Sequence, residues 1–391
     1  MKKIFLSAVM MLCMCAVPRP APCCTTFCLK SGGQVVVGKN FDLFTGECVI
    51  FVNKRGVSKK AMVAAPDDTA RAEWTSRYGS VTFNPDLRER PFSGINEAGL
   101  VVSTTSLYET EYPATAPLGV IDEFQWAQYQ LDNYSTVKQV VDNAGSLRVL
   151  KIGHISNPAQ YLVADATGDC AVIEFVQGRA VCYRGEGLPV AAITDNTYPD
   201  SLAYWQTGVR PWRNSMSSVE RFKIAAAMLS GYRPDPSRTL VDDAFAILKA
   251  AALGEVTEVD GEPVRSFIAT EWSIVYDAVK GQVYFHTFAD KNIRRFMLAE
   301  FDFSCTAPVM ALNIQADTHG DAGSAFTPYT REINLELLKK AVRNKNRYTG
   351  LDAAEVERLA GYPESTICTQ ERAAGEGRPG PAQRVLCADN F

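Results

Sequence analysis

The chain has 391 residues, of which 47% are hydrophobic and 21% are charged, so it has ample residues to build a globular core. Its 40 basic and 44 acidic side chains give a formal net charge of −4, which argues against nucleic acid as a partner. This length fits one large domain or two smaller ones.

The first 23 residues have the pattern of a secretory signal peptide. Two lysines precede an apolar run over residues 4–17, which is too short to span a bilayer comfortably. Ala21 and Cys23 are small enough for signal peptidase to cut between Cys23 and Cys24. No later stretch approaches eighteen apolar residues, so we expect a mature protein without a membrane span, exported to the periplasm or out of the cell.

A cut at this place would make Cys24 the first residue of the mature chain. Cys24 would then carry a thiol and a free α-amine, and the amine, with a pKa of about 8, can accept the thiol proton without a separate histidine. One residue would supply both the nucleophile and its base. A second interpretation is that Cys24 forms a disulfide, for instance with Cys28 or Cys48, because half-cystines are common near the start of exported proteins.

In chain order, the sequence predicts strands, helices, strands, helices and strands again. The predicted strands cover residues 25–29, 34–41, 48–53, 80–84, 100–107, 160–164, 170–176, 180–183, 268–279 and 282–288. One amphipathic helix or a close pair of helices is predicted over 124–141, with further helices over 217–229, 239–252, 332–342 and 352–360. Tight turns such as residues 30–33 indicate mostly antiparallel sheets, and helical layers would cover their apolar faces.

Several motifs occur in an order that resembles a known family. The string CTTF at residues 24–27 and the string GKNFD at 38–42 resemble the start of the choloylglycine hydrolase family, N-terminal nucleophile enzymes that include bile salt hydrolases and penicillin V acylases. The resemblance continues through NEAGL at 96–100, ITDN at 193–196, SSVERF at 217–222 and the hairpin at 272–287. It covers roughly residues 24–300 and is specific as a set.

The resemblance implies an α+β fold, namely the four-layer αββα sandwich of N-terminal nucleophile hydrolases, with mostly antiparallel sheets. We expect this domain over residues 24–345, after a signal peptide at 1–23 and before a partly flexible C-terminal extension at 346–391, where residues 371–381 are rich in Gly, Pro and charge. A homo-oligomer, and specifically a tetramer, is implied by the family alone.

The implied activity is hydrolysis of a linear carbon–nitrogen amide bond through an acyl-thioester on Cys24. No metal or organic cofactor is implied, and the partner would be a small-molecule acyl-amide. Conjugated bile salts, phenoxyacyl β-lactams such as penicillin V and N-acyl homoserine lactones are substrate types in and around such a family. All of them join an apolar acyl group to a polar amine, and the sequence does not choose among them.

Three charged residues are implied to serve the nucleophile. Asp42 matches the aspartate that orients the α-amine, and pairing of the first two strands can bring its carboxylate beside Cys24. Lys39 stands where the family has an arginine, which keeps the positive charge but loses the planar fork of donors. Arg221 matches a later arginine of the family that helps position the N-terminal group through a polar network.

Amide hydrolysis also needs hydrogen-bond donors aimed at the developing oxyanion. The resemblance implies a backbone N–H near Ser106 and an asparagine side chain. An ungapped match puts Asp195 at the asparagine position, whereas a shift of one residue supplies Asn196. Because an ionised carboxylate would repel an oxyanion, we favour Asn196, or an Asp195 that is protonated or displaced.

A rival hypothesis from another class is a catalytically silent exported binding or structural protein on the same fold, with Cys24 in a disulfide. The unusual Asp195 and Lys39 favour this rival. Asn96 is predicted to shape the turn before Gly99 rather than to take part in catalysis.

Overall fold

The fold is described from a computed structural model of the 391-residue chain. The described residues are 24–43, 45–64, 69–151, 158–212, 215–254, 268–343 and 350–369, together with the backbone of three short strands at 257–259, 262–264 and 386–387. The predicted signal peptide and the predicted flexible tail at 371–381 lie outside the described residues.

Within these residues the strands are β1 (Thr25–Ser31), β2 (Gln34–Leu43), β3 (Val49–Asn53), β4 (Val57–Lys60), β5 (Glu73–Thr75), β6 (Ser80–Asn84), β7 (Ser93–Asn96), β8 (Val101–Ser106), β9 (Val120–Asp122), β10 (Arg148–Leu150), β11 (Ala159–Ala164), β12 (Cys170–Val176), β13 (Arg179–Arg184), β14 (Ala192–Ile193), β15 (Thr257–Val259), β16 (Glu262–Val264), β17 (Ala269–Asp277), β18 (Gln282–Thr287), β19 (Arg294–Met297), β20 (Met310–Asn313), β21 (Thr327–Pro328), β22 (Ile367–Cys368) and β23 (Leu386–Cys387). The α-helices are α1 (Glu123–Asn133), α2 (Val137–Asn143), α3 (Tyr198–Gln206), α4 (Ser218–Ser230), α5 (Leu240–Ala251), α6 (Arg331–Arg343) and α7 (Ala353–Ala360).

The first sheet has six strands in the order β14-β1-β2-β17-β18-β19, and every neighbouring pair is antiparallel. Its first hairpin closes between Ser31 and Gln34. The two residues of the turn, Gly32 and Gly33, have φ of 57° and 78°, and a two-residue hairpin turn needs such positive values. The hairpin predicted from the glycines is therefore confirmed.

The second sheet has ten strands in the order β21-β20-β3-β6-β7-β8-β11-β12-β13-β23. It is antiparallel up to β13, and the pairing of β13 with β23 is parallel. The meander predicted over residues 160–183 is confirmed as β11, β12 and β13.

Alternation of side chains along the strands of the second sheet separates two apolar cores. In β8, Val101 packs in the core shared by the two sheets and helices α4 and α5, whereas the next residue, Val102, packs under helices α1 and α2. In β11, Leu162 and Tyr161 divide in the same way. Because successive strand residues point to opposite faces, this pattern stacks helices, sheet, sheet and helices. The predicted four-layer αββα fold is thus confirmed.

The helical segment predicted over residues 124–141 is a pair of helices. Helix α1 ends at Asn133, and α2 begins at Val137 after the N-cap Thr136, whose hydroxyl accepts a hydrogen bond from the backbone N–H of Gln139. The Gln139 side chain caps in return, which completes a capping box. The chain can therefore restart a helix here at little cost.

Three features near the chain ends were not predicted. Strand β22 joins β4 and β5 in a small separate sheet, and a disulfide between Cys305 and Cys368, with a Cα–Cα distance of 5.3 Å, holds this strand against the body. The backbone of β23 pairs with β13, so that Cys387 lies opposite Cys182.

Among the described helices, none is both long and apolar enough to cross a membrane.

Candidate active site

Cys24 lies directly before β1 and is only 1% exposed. Strand β14 pairs antiparallel with β1, with Thr26 opposite Ile193, and the same register continued by two residues places Cys24 opposite Asp195. A hydrogen bond agrees with this placement, because the backbone nitrogen of Cys24 donates to Oδ1 of Asp195 at 3.2 Å. Strand pairing alone therefore brings an aspartate to the proposed nucleophile.

Asp195 is held by three groups from two other parts of the fold, the start of α4 and the end of β8. Its Oδ2 accepts a hydrogen bond from Nη2 of Arg221 at 2.7 Å. Its backbone N–H donates to the hydroxyl of Ser218 at 2.6 Å, and the backbone N–H of Ser106, at the end of β8, also donates to its carboxylate. The carboxylate is thus fixed in position before any substrate binds.

Arg221 lies in the first turns of α4, and its side chain is fully buried. Helix α4 packs on β1 and β14, which brings the guanidinium to the start of β1. Nη1 donates to the backbone carbonyl of Met216 at 2.9 Å, and Nε lies 3.7 Å from Oδ2 of Asp42. Arg221 therefore bridges the two carboxylates of the site and fixes their spacing.

Asp42 lies on β2 and is fully buried. The register of β2 with β17 places Thr270 opposite Asp42, and the Thr270 hydroxyl donates to Oδ1 of Asp42 at 2.5 Å. The backbone N–H of Asp42 donates to the sulfur of Cys24. Asp42 thus contacts Cys24 through its backbone and Arg221 through its carboxylate.

Lys39 lies on β2 of the first sheet, and its side chain contacts the second sheet. It pairs with Thr26 across the first hairpin and is fully buried. Its Nζ donates to Oγ of Ser103 at 3.1 Å and to the carbonyl of Thr104 at 2.5 Å. The lysine therefore links the two sheets, and its positive charge acts to lower the pKa of the Cys24 thiol.

Burial controls the protonation of the site. It raises the pKa of the Cys24 thiol to about 11, an effect that Lys39 opposes and that the two carboxylates increase. Burial also raises the pKa of Asp42 to about 7 and that of Asp195 to about 6, and Arg221 opposes both shifts. With its nitrogen in a peptide bond, Cys24 therefore keeps its thiol protonated at neutral pH, whereas both carboxyls titrate close to neutrality.

The structure brings Asp195, rather than Asn196, opposite Cys24. Asn196 lies one residue beyond that register position and is half-buried. Ser106, the residue implied to give a backbone N–H to the oxyanion, directs that N–H to Asp195. The ungapped match to the family motif is therefore the one that the strand pairing follows.

Gln160 is a supporting residue that the sequence analysis missed. Its Nε2 donates to the backbone carbonyls of Thr194 at 2.5 Å, Asn196 at 3.2 Å and Ser106 at 3.3 Å. The amide thus ties the segment that carries Asp195 to the end of β8. The sequence shows only that Gln160 is a polar residue in an otherwise apolar predicted strand, and this does not identify its partners.

The disulfide of the rival hypothesis is not formed. Cys24, Cys28 and Cys48 each have a free thiol, and Cys28 lies within hydrogen-bonding reach of Cys170. The structural prediction for Asn96 is confirmed, because its Oδ1 accepts from the backbone N–H groups of Ala98 and Leu100.

In the part of the chain that the structure describes, the His, Cys, Asp and Glu residues form no group of three or more that could hold a metal ion.

Comparison with known proteins agrees with this geometry. Residues 24–198 match the family described as linear amide C-N hydrolases, choloylglycine hydrolase family. A penicillin V acylase from Pectobacterium atrosepticum is 27% identical over 265 residues, which are 59% of this chain and 69% of that protein.

Two solved structures have a similar fold. Penicillin V acylase from Agrobacterium tumefaciens has a TM-score of 0.62 and 22% identity, and the match covers 78% of this chain and 98% of that one. A mutant of conjugated bile acid hydrolase from Clostridium perfringens has a TM-score of 0.59 and 15% identity, with 76% and 98% covered. Residues 24–198 thus match the choloylglycine hydrolase family of linear amide C-N hydrolases, and the chain is an amide-hydrolysing enzyme.

Proposed function

We propose that the protein is exported, loses residues 1–23 and hydrolyses a small-molecule linear amide by nucleophilic attack of Cys24. The observation that carries the proposal is the buried set of four charged side chains around Cys24, namely Lys39, Asp42, Asp195 and Arg221. Burying charges is costly, and such a set beside a free thiol is typical of a catalytic site.

Cleavage before Cys24 would change the chemistry of its nitrogen. A peptide nitrogen can donate a hydrogen bond but is not a base, whereas an α-amine has a pKa of about 8. The amine takes the proton from the thiol, and the resulting thiolate attacks the carbonyl carbon of the amide. The ammonium then returns a proton to the leaving amine. An acyl-thioester remains on Cys24.

The second half of the reaction releases the acid. The amine of Cys24, now neutral, accepts a proton from a water molecule as the water attacks the thioester carbonyl. The tetrahedral intermediate expels the thiolate, and the carboxylic acid leaves. The enzyme is left as the thiolate and the ammonium, the same pair that attacked the first amide, so that the cycle consumes only the amide and water.

The substrates to test join an apolar acyl group to a polar amine. Penicillin V is the first choice, because the 27% identical relative is a penicillin V acylase. A conjugated bile salt is the second choice, because a fold relative is a conjugated bile acid hydrolase. An N-acyl homoserine lactone completes the panel. We place the reaction in the periplasm or outside the cell, on the basis of the signal peptide pattern at residues 1–23.

The experiment compares the exported wild-type protein with Cys24→Ser on this panel, after intact-mass analysis and N-terminal sequencing. We expect a mature chain that starts at residue 24, one alkylated thiol at Cys24 and a loss of turnover in Cys24→Ser of roughly 10³-fold or more. Cys28→Ala is the matched control, because Cys28 is also a buried free thiol on β1. Unchanged turnover in Cys24→Ser, or a mature start elsewhere, would contradict the proposal.

A further inference from the structure

We propose that Asp195 is a positioning residue that holds the α-amino group of mature Cys24, in the position where an asparagine that binds the oxyanion was expected. The inference rests on the proposed function, because it needs the cut before Cys24. It assigns to Asp195 the role that the sequence analysis gave to Asp42.

Cys24 and Asp195 are already in contact in the uncut chain. The backbone nitrogen of Cys24 donates to Oδ1 of Asp195 at 3.2 Å, and the pairing of β1 with β14 fixes the two residues opposite each other. Cleavage leaves this nitrogen in place and adds hydrogens to it. The carboxylate therefore faces the amine in the mature protein and accepts a stronger, charge-assisted hydrogen bond from its ammonium form.

Both carboxylate oxygens of Asp195 accept hydrogen bonds. Oδ2 takes the hydrogen bond from Arg221 at 2.7 Å, and the carboxylate also accepts from the backbone N–H of Ser106. An oxyanion site needs donors, whereas an ionised Asp195 offers only acceptors and engages the N–H of Ser106 itself. An amine, which is a donor, fits this environment.

Asp42 contacts the sulfur of Cys24 rather than its nitrogen. Its carboxylate contacts the hydroxyl of Thr270 at 2.5 Å and Nε of Arg221 at 3.7 Å, while its backbone N–H donates to the Cys24 sulfur. Asp42 is thus placed to position the thiol and Arg221. Asp195 thus positions the nitrogen of Cys24, and Asp42 positions its sulfur.

The assignment has a consequence for proton transfer. Moving the proton from sulfur to nitrogen creates an ammonium–thiolate pair, in which one S–H bond breaks and one N–H bond forms. A carboxylate beside the nitrogen favours the ammonium, because an opposite charge within about 4–6 Å shifts a pKa by roughly 1–3 units. The same carboxylate also raises the pKa of the thiol, but its direct contact is with the nitrogen, at 3.2 Å, so we expect the gain at the ammonium to outweigh this rise. The other charged groups that face Asp195 are Arg221, Lys39 and Asp42.

The test measures the alkylation rate of Cys24 by iodoacetamide as a function of pH, together with kcat on a hydrolysed amide. Alkylation needs the thiolate but passes through no oxyanion, so it separates the two possible roles of residue 195. For Asp195→Asn we expect alkylation at pH 7 to slow by roughly tenfold or more, with a parallel fall in kcat. Asp195→Glu, which keeps the charge, should recover part of both rates.

Asp200→Asn is the matched control, because Asp200 is an exposed aspartate five residues along the chain. It should alkylate at the wild-type rate, and thermal melting of each variant checks that it is folded. The inference is overturned if Cys24 of Asp195→Asn is alkylated at the wild-type rate. If kcat of this variant also rises, residue 195 binds the oxyanion instead. The inference is also overturned if Asp195→Glu behaves like Asp195→Asn while both are folded. Failure of the proposed function looks different, because the wild-type protein itself would then show no alkylation at an N-terminal Cys24.

Discussion

Two of the buried groups of charged side chains in the described residues differ in how tightly their charges are paired. The site cluster consists of Lys39, Asp42, Asp195 and Arg221 around Cys24. The Lys59 cluster consists of Lys59, Glu89 and Asp132, which lie between α1 and the small β4–β5 sheet. Nζ of Lys59 lies 2.6 Å from Glu89 and 2.9 Å from Asp132, so one cation bridges two carboxylates.

The pKa values show what this difference does. Although burial opposes it, Asp132 and Glu89 raise the pKa of Lys59 above its ordinary value, and Nε1 of Trp74 further anchors Asp132 at 2.8 Å. Lys59 therefore stays charged, although burial raises the pKa of Asp132 as well. In the site cluster, burial instead leaves the pKa of Asp42 at about 7. Buried charge alone does not identify a catalytic centre. Groups that change protonation near neutral pH beside a free thiol are a better indication of one.

The largest effect is expected from removing the cation of the Lys59 cluster. Lys59→Met would leave Asp132 buried without its counter-ion and Glu89 with only the more distant Arg88, at 3.8 Å, so we expect the free energy of unfolding to fall by about 3–5 kcal/mol. Urea denaturation of the mature protein measures this loss, and the kcat of the molecules that remain folded should be close to wild type. Lys60→Met is the matched control, because the neighbouring Lys60 pairs with Glu73 at the exposed surface and should give no measurable change. Equal stability of the two variants would remove the contrast between the clusters.

A smaller effect, on rate rather than on stability, is expected from Arg221→Lys. A lysine keeps one charge but cannot contact Asp195, Asp42 and the Met216 carbonyl together. We expect kcat to fall by roughly 10²-fold, because both carboxylates lose their fixed spacing. Steady-state kinetics on a hydrolysed amide measures the change, and Arg238→Lys, at an exposed arginine on the surface, serves as the control. A wild-type kcat would show that the bridge is not needed.

The smallest effect is expected in the pH dependence of stability. Burial raises the pKa of Asp42 to about 7, so the folded state holds a proton that the unfolded state loses near pH 4. The free energy of unfolding should therefore fall as pH rises from about 4 to about 7. Asn cannot ionise, so the free energy of unfolding of Asp42→Asn, relative to wild type, should rise by about 1–2 kcal/mol between pH 4 and pH 7. This figure allows for the nearby α-ammonium, which favours the ionised form of Asp42.

Urea denaturation at several pH values checks this sign. Asp317→Asn, at an aspartate whose side chain is 95% exposed, should keep the wild-type slope. A relative stability of Asp42→Asn that falls with rising pH would show that Asp42 is ionised throughout the window in the mature protein.

Local features of the fold were predictable from sequence because their partners are close in the chain. The first hairpin follows from Gly32 and Gly33, and the break between α1 and α2 was encoded in the capping box of Thr136 and Gln139. The short strands of two to four residues were missed, because such lengths carry too few residues for a periodic pattern.

The site was predictable only in part, for a related reason. The motifs named the charged residues, but the choice between Asp195 and Asn196 depends on the register of β14, which has only two residues. A shift of one residue exchanges the side chain that meets Cys24. Gln160 was missed because its partners are backbone carbonyls, which leave no pattern in the sequence.

The pairing of Cys24 with Asp195 also bears on the order in which the protein folds. Asp42 reaches Cys24 through a local hairpin, whereas 171 residues separate Cys24 from Asp195. Contacts between residues so far apart form late, because a long loop must close before they can be made. The thiol therefore meets its complete set of neighbours only after β14 docks on β1 at the edge of the first sheet. The reactivity of a single cysteine thus reports whether the chain has finished folding.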